Sequence, residues 1–132
     1  MLTPMHRSRL SSVVIDCAEG DFERDVEFWS RALGKQPIPD ERPRYVSLRG
    51  RIGGDGGPYV GLQRVVKEER AVHLDIETDD VEREVARLSE LGARVNARIR
   101  NHVVMLAPSG HAFCVVPAGR RGDFPGDAAN WD

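Results

Sequence analysis

Between Val72 and Gly92 the chain changes its hydrophobic period once. Val72, Leu74 and Ile76 alternate with His73, Asp75 and Glu77, the period of two that marks a strand. From Val81 the apolar residues Val81, Val85, Leu88 and Leu91 recur at helical spacing, with Glu82, Arg83, Glu84, Arg87 and Glu90 filling the other face. Asp79, with Glu82 three residues on, is expected as the N-cap, and Gly92 as the stop. A strand therefore feeds an amphipathic helix. The strand's second face carries an imidazole and two carboxylates, although Asp is disfavoured in strands. That face is either solvated or the wall of a cavity that takes polar groups.

The same reading along the chain predicts the remaining elements. Residues 1–9 are polar and are expected to form a loose arm. LSSVVIDCA (10–18) is a buried strand, and a helix runs from an N-cap at Asp21 to Leu33, with Phe22, Val26, Trp29 and Leu33 on its apolar stripe and Gly34 as its stop. The Pro-rich stretch KQPIPDERPR is expected to hold no regular structure. Strands follow at Tyr45–Leu48 and 59–66, with the charged turn KEER after them. In the second half, strands are expected at 93–97, 103–107 and 112–118, with Pro108-Ser109-Gly110-His111 as a turn. The glycine-dense segment RGRIGGDGGP lacks the Lys-Ser/Thr of a phosphate loop and precedes a strand, so it reads as a hairpin connection. The tail 119–132 has no periodicity.

Composition narrows the function classes. At 132 residues, 40% hydrophobic and 30% charged, the chain is sized for one compact unit with a core of its own. A net charge of −2 argues against a broad nucleic-acid footprint. Nothing approaches a membrane span, and the N-terminus has no apolar signal region. Cys17 and Cys114, both in apolar strand-like runs, are expected as buried free thiols of a reducing, cytoplasmic compartment. The arginines 42, 44, 49 and 51, and 94, 98 and 100, read as solvated strand edges. His111 belongs to a turn and His102 opens a strand.

The two halves share one order of elements. SVVIDCAEG aligns with HLDIETDDV, which matches Ser12 to His73 and Asp16 to Glu77, and both helices end in Leu-Gly. Two copies suit a pseudo-symmetric domain rather than a solenoid. With Phe28-Trp29 to Leu33-Gly34, Val72 to Asp80 and Pro108 to Val116 as its motifs, the chain resembles the vicinal oxygen chelate superfamily, and more narrowly glyoxalase-like and bleomycin-resistance-like domains, over residues 10–117.

The resemblance implies an α+β fold of two βαβββ modules in a half-open barrel, with module one about 10–67 and module two about 70–118, an N-terminal arm at 1–9 and a tail at 119–132. It further implies a homodimer and a ligand cleft on the concave face. It places four metal-binding positions at Ser12, Gln63, His73 and Cys114. Of these His73 is a good ligand and Gln63 a tolerable one, whereas Ser12 is a poor ligand for a divalent cation and Cys114 suits only zinc. The expectation is a protein that binds a small organic molecule, an antibiotic among the candidates, through His73, Asp75, Gln63, Cys114 and Ser12. It needs no cofactor, and a divalent metal on His73 and Gln63 is the alternative. A metal-dependent lyase, isomerase or dioxygenase, and a protein-interaction module using Phe124 and Trp131, are the other two readings.

Overall fold

The structure, a computed structural model, describes residues 5–52, 57–66, 71–118 and 128–132. Its elements are strands β1 (His6–Ala18), β2 (Pro37–Pro39), β3 (Tyr45–Leu48), β4 (Tyr59–Val65), β5 (Val72–Thr78), β6 (Arg94–Ile99), β7 (His102–Leu106), β8 (Ala112–Pro117) and β9 (Ala129–Trp131), with helices α1 (Phe22–Leu33) and α2 (Val81–Glu90). They divide into two compact units, Ser12–His73 and Met1–Ser11 with Leu74–Asp132. Each unit contains a strand, a helix and three further strands, which is the expected βαβββ order.

In the first unit β1 runs parallel to β4, β4 pairs antiparallel with β3, and β3 with β2. Alternation sorts the side chains. Ile15 and Cys17 of β1, Leu62 and Val60 of β4, and Val46 and Leu48 of β3 lie on one face and pack against Phe22, Val26 and Trp29 of α1. Leu48 and Leu62 are fully buried, each worth about 1.5–3 kcal/mol of burial. Trp29 is therefore core, as its place on the helical stripe predicts. Asp21 is the N-cap of α1, and Gly34 ends it in the left-handed region at φ 65°, where a side chain is strained.

The second unit repeats the scheme. β5 runs parallel to β8, and β8–β7 and β7–β6 are antiparallel. Val103, Met105 and Val115 pack with Val85 of α2, and Met105 is fully buried.

Four expectations change. β1 starts at His6, because His6–Ser8 pair antiparallel with β9, so residues 6–9 of the expected loose arm and the end of the tail are strand. The Pro-rich stretch holds β2, an edge strand in which Ile38 stands between two prolines that no outer neighbour requires to donate. Asp80, not Asp79, caps α2 by accepting from the Arg83 amide at 3.0 Å, while Asp79 is bound by the backbone and guanidinium of Arg7. Glu77, on the strand face expected to be either solvated or a cavity wall, is buried and ion-paired with buried Arg9. The KEER turn, part of the glycine-dense segment and Phe124 lie outside the described residues.

The second unit also buries a carboxylate in α2. Glu84 accepts from His6 Nε2 at 2.8 Å and takes Arg87 in bidentate fashion, Nε and Nη2 both at 2.8 Å. The Arg87 guanidinium lies 3.8 Å over the Trp131 ring, and the Trp131 indole donates to the Ser8 hydroxyl at 2.8 Å. Trp131 is thus committed inside its own unit. Burial alone would raise the Glu84 carboxyl, but hydrogen bonds from Arg87, His6 and Ser8, with the Arg87 charge, hold it below its ordinary 4.5.

Candidate functional site

The face of the first unit turned away from α1 is polar, and the strand registers show why. Residues paired across neighbouring strands present their side chains on the same side. Tyr45 of β3 pairs with Gln63 of β4, and Gln63 pairs with Asp16 of β1. The residues one step along, Val46, Leu62 and Ile15, are the ones that pack under α1. A phenol, an amide and a carboxylate therefore form a row across three strands, on the face opposite the core. Arg64, next to Gln63 but on the α1 side, confirms the alternation by placing its guanidinium 4.6 Å over the Phe22 ring.

His73 extends the row. Its Nε2 lies 3.1 Å from Asp16 Oδ1, and both side chains are largely shielded, at 18% and 17% exposure. The Asp16 amide donates to the Ala71 carbonyl at 2.8 Å, which brings His73 beside this part of β1. A neutral imidazole bonded to a carboxylate through Nε2 carries its proton there, so Nδ1 is the basic nitrogen. The pair is an oriented imidazole of the kind that accepts a proton or a hydrogen bond from a bound molecule.

Of the five residues expected to line a ligand site, the first unit brings His73 and Gln63 to the same row. Ser12, buried at 6% exposure, pairs with Tyr59 and stands four register steps from Asp16 and Gln63, or ~13 Å along the strand. Asp75 and Cys114 belong to the second unit, where they are paired across β5 and β8 and both are half-buried. Neither Cys114 nor Cys17 is in a disulfide, and Cys17 is buried among the core residues under α1.

This geometry tests the fit of a metal to the four family positions. Ser12 and Gln63 are too far apart along β1 and β4 to meet on one ion. The set Ser12, Gln63, His73 and Cys114 does not fit one divalent cation.

Asp16 and Tyr45 are the residues that sequence reasoning did not nominate. Asp16 had a signal, an isolated carboxylate within the apolar strand VVIDCA, of the same kind that drew notice to Asp75 and Glu77. Tyr45 had none, because a four-residue strand does not reveal which face meets the helix.

Comparison with known proteins places this geometry. Residues 12–116 match the profile of the family described as Glyoxalase-like domain. A search of curated protein sequences finds no match. Among solved structures, a hypothetical protein from Bacillus halodurans C-125 matches 87% of this chain and 97% of its own at 13% identity and a TM-score of 0.61. Methylmalonyl-CoA epimerase, in complex with methylmalonyl-CoA and NH4+, covers 86% and 96% at 19% identity and a TM-score of 0.54. Homoprotocatechuate 2,3-dioxygenase from Arthrobacter globiformis is matched over 83% of this chain but only 35% of its own, at 18% identity and a TM-score of 0.53. These likenesses show the fold. No helix among the described residues is long and apolar enough to cross a membrane.

Proposed function

Because the chain belongs to the glyoxalase-like domain family of the vicinal oxygen chelate superfamily, whose structural relatives here include an epimerase and a dioxygenase, we propose that it binds a small organic molecule on the polar face of its first unit without a resident metal. The observation that carries this reading is the Asp16–His73 pair. The imidazole is oriented by a carboxylate and aligned with Gln63 and Tyr45, while the Ser12 position stands too far along β1 to share an ion with Gln63. Such a row suits a ligand with a hydroxyl or another weakly acidic group for the imidazole, and acceptor or donor atoms for the amide and phenol.

A second reading keeps a metal. Asp75 and Cys114 are register partners within the second unit, a carboxylate beside a thiol. That pairing suits zinc before any harder cation. Elemental analysis of the purified protein, with titration of zinc, manganese and nickel, separates the two. The first reading expects less than a tenth of an equivalent of any metal, and a stoichiometric ion overturns it.

We also propose a homodimer in a reducing, cytoplasmic compartment. The exposure of Val72 at 61% and Leu74 at 43% on β5 supports the former, and two cysteines that form no disulfide support the latter.

A further inference from the structure

Gly61 stands in the middle of the polar face, two residues before Gln63 on β4 and paired with Val14 of β1 and Ser47 of β3. Its backbone gives no reason for a glycine, since the positive-φ glycines among the described residues are Gly34, Gly50, Gly92 and Gly110. The reason is space. A Cβ at position 61 would meet the Tyr45 hydroxyl at 1.8 Å and the ring carbon that bears it at 2.4 Å, far inside any van der Waals contact. The Tyr45 ring leans along the sheet from its own register position beside Gln63, and its hydroxyl lies over the bare backbone of Gly61. The Arg42 guanidinium lies 4.8 Å from the ring centroid and braces it.

From this arrangement we infer that Tyr45 is a ligand-contacting residue of the polar face, and that Gly61 is the positioning residue that admits its hydroxyl there. The inference rests on the small-molecule reading of that face. Tyr45 and His73 lie at opposite ends of one row, with Gln63 and Asp16 occupying the intervening strands. Neighbouring strands are about 4.8 Å apart, and with the hydroxyl over Gly61 of β4 the phenol and the imidazole stand about two spacings, or roughly 10 Å, apart, a gap that one six-membered ring with a substituent at each end spans through a hydrogen bond on either side. A ligand of that size meets a phenolic hydroxyl at one end and an oriented imidazole at the other. Tyr45 thereby selects ligands that carry a hydrogen-bond acceptor on the side remote from their acidic group.

The probe that matches this description is 4-nitrophenol, whose acidic hydroxyl and nitro acceptor lie at opposite ends of one ring and whose absorbance reports its ionisation. The experiment is a spectrophotometric titration of 4-nitrophenol with the full chain and with the variants Tyr45→Phe, Gly61→Ala, Tyr45→Phe/Gly61→Ala and His73→Ala. Tyr45→Phe keeps the ring and its packing, so its melting temperature stays within about 2 °C of the parent while Kd rises about tenfold, the loss of one hydrogen bond. Gly61→Ala raises Kd at least as much, and adding Tyr45→Phe to it changes nothing further, because both act through one hydroxyl. Saturable binding that His73→Ala weakens and Tyr45→Phe leaves unchanged overturns the inference while the small-molecule reading stands. No saturable binding by the parent protein overturns both.

Discussion

Replacing Glu84 with Ala tests the account of the second unit at its most demanding point. The carboxylate is fully buried, takes two hydrogen bonds from Arg87 and one from His6, each at 2.8 Å, and is also hydrogen-bonded by Ser8. Removing it leaves a buried imidazole and a mostly buried guanidinium facing a cavity. Taking away one partner of a buried ion pair costs about 3–5 kcal/mol, chiefly because the other charge stays behind without compensation. For a chain of this size each kcal/mol moves the melting temperature by roughly 3–5 °C, so Glu84→Ala is expected to melt some 10–20 °C below the parent. Glu84→Gln keeps the shape and loses the charge, and should fall between the two. The pH dependence carries a definite sign. A carboxyl held below its ordinary value in the fold stabilises fully above about pH 4.5, and that contribution is lost as pH falls through the lower folded value. The gap between parent and Glu84→Ala should therefore be widest at pH 6–7 and shrink below pH 4. Urea unfolding followed by circular dichroism at pH 7, 5 and 3.5 measures both quantities. A gap under about 1 kcal/mol at pH 7, or one that does not shrink in acid, would refute the reasoning.

Three further outcomes follow from the packing. Met105→Ala, at a fully buried site in the second core, should cost about 2–5 kcal/mol with an unchanged urea m-value, and a cost below 1 kcal/mol would mean that the site collapses freely. Trp131→Ala removes both the ring under Arg87 and the bond to Ser8, so hydrogen exchange at His6–Ser8 should accelerate at least tenfold, with Trp131→Phe intermediate; unchanged exchange would show that β9 contributes nothing to holding β1. Val72→Glu should convert the proposed dimer to monomer in sedimentation equilibrium, and a dimer that persists would place the interface elsewhere.

Much of the fold was legible in the sequence because its signals are periodic. The α1 stripe, the switch from period two to helical spacing after β5, and the Leu-Gly stops at Gly34 and Gly92 each follow from side-chain geometry along a single element. What the sequence hid depends on partners distant along the chain. Residues 6–9 look like a polar arm until β9 pairs with His6–Ser8, Glu77 pairs with Arg9 and Glu84 hydrogen-bonds His6. Pro37 and Pro39 look incompatible with a strand until β3 is seen to need only one side of an edge. The site was half visible. His73 stood out as an imidazole on a strand face and Gln63 came from the family pattern, but their common neighbour Asp16 depends on the parallel β1–β4 register. No local pattern in either strand encodes that register.

The central claim is that the row from Tyr45 to His73 binds a small organic molecule without a metal. Its most direct test is the titration of 4-nitrophenol against protein exhaustively treated with EDTA, beside untreated protein of measured metal content. The account predicts one saturable site per chain with the same Kd in both samples, and at least tenfold weaker binding by His73→Ala and by Asp16→Asn. Binding that disappears with EDTA and returns with one equivalent of zinc would contradict it.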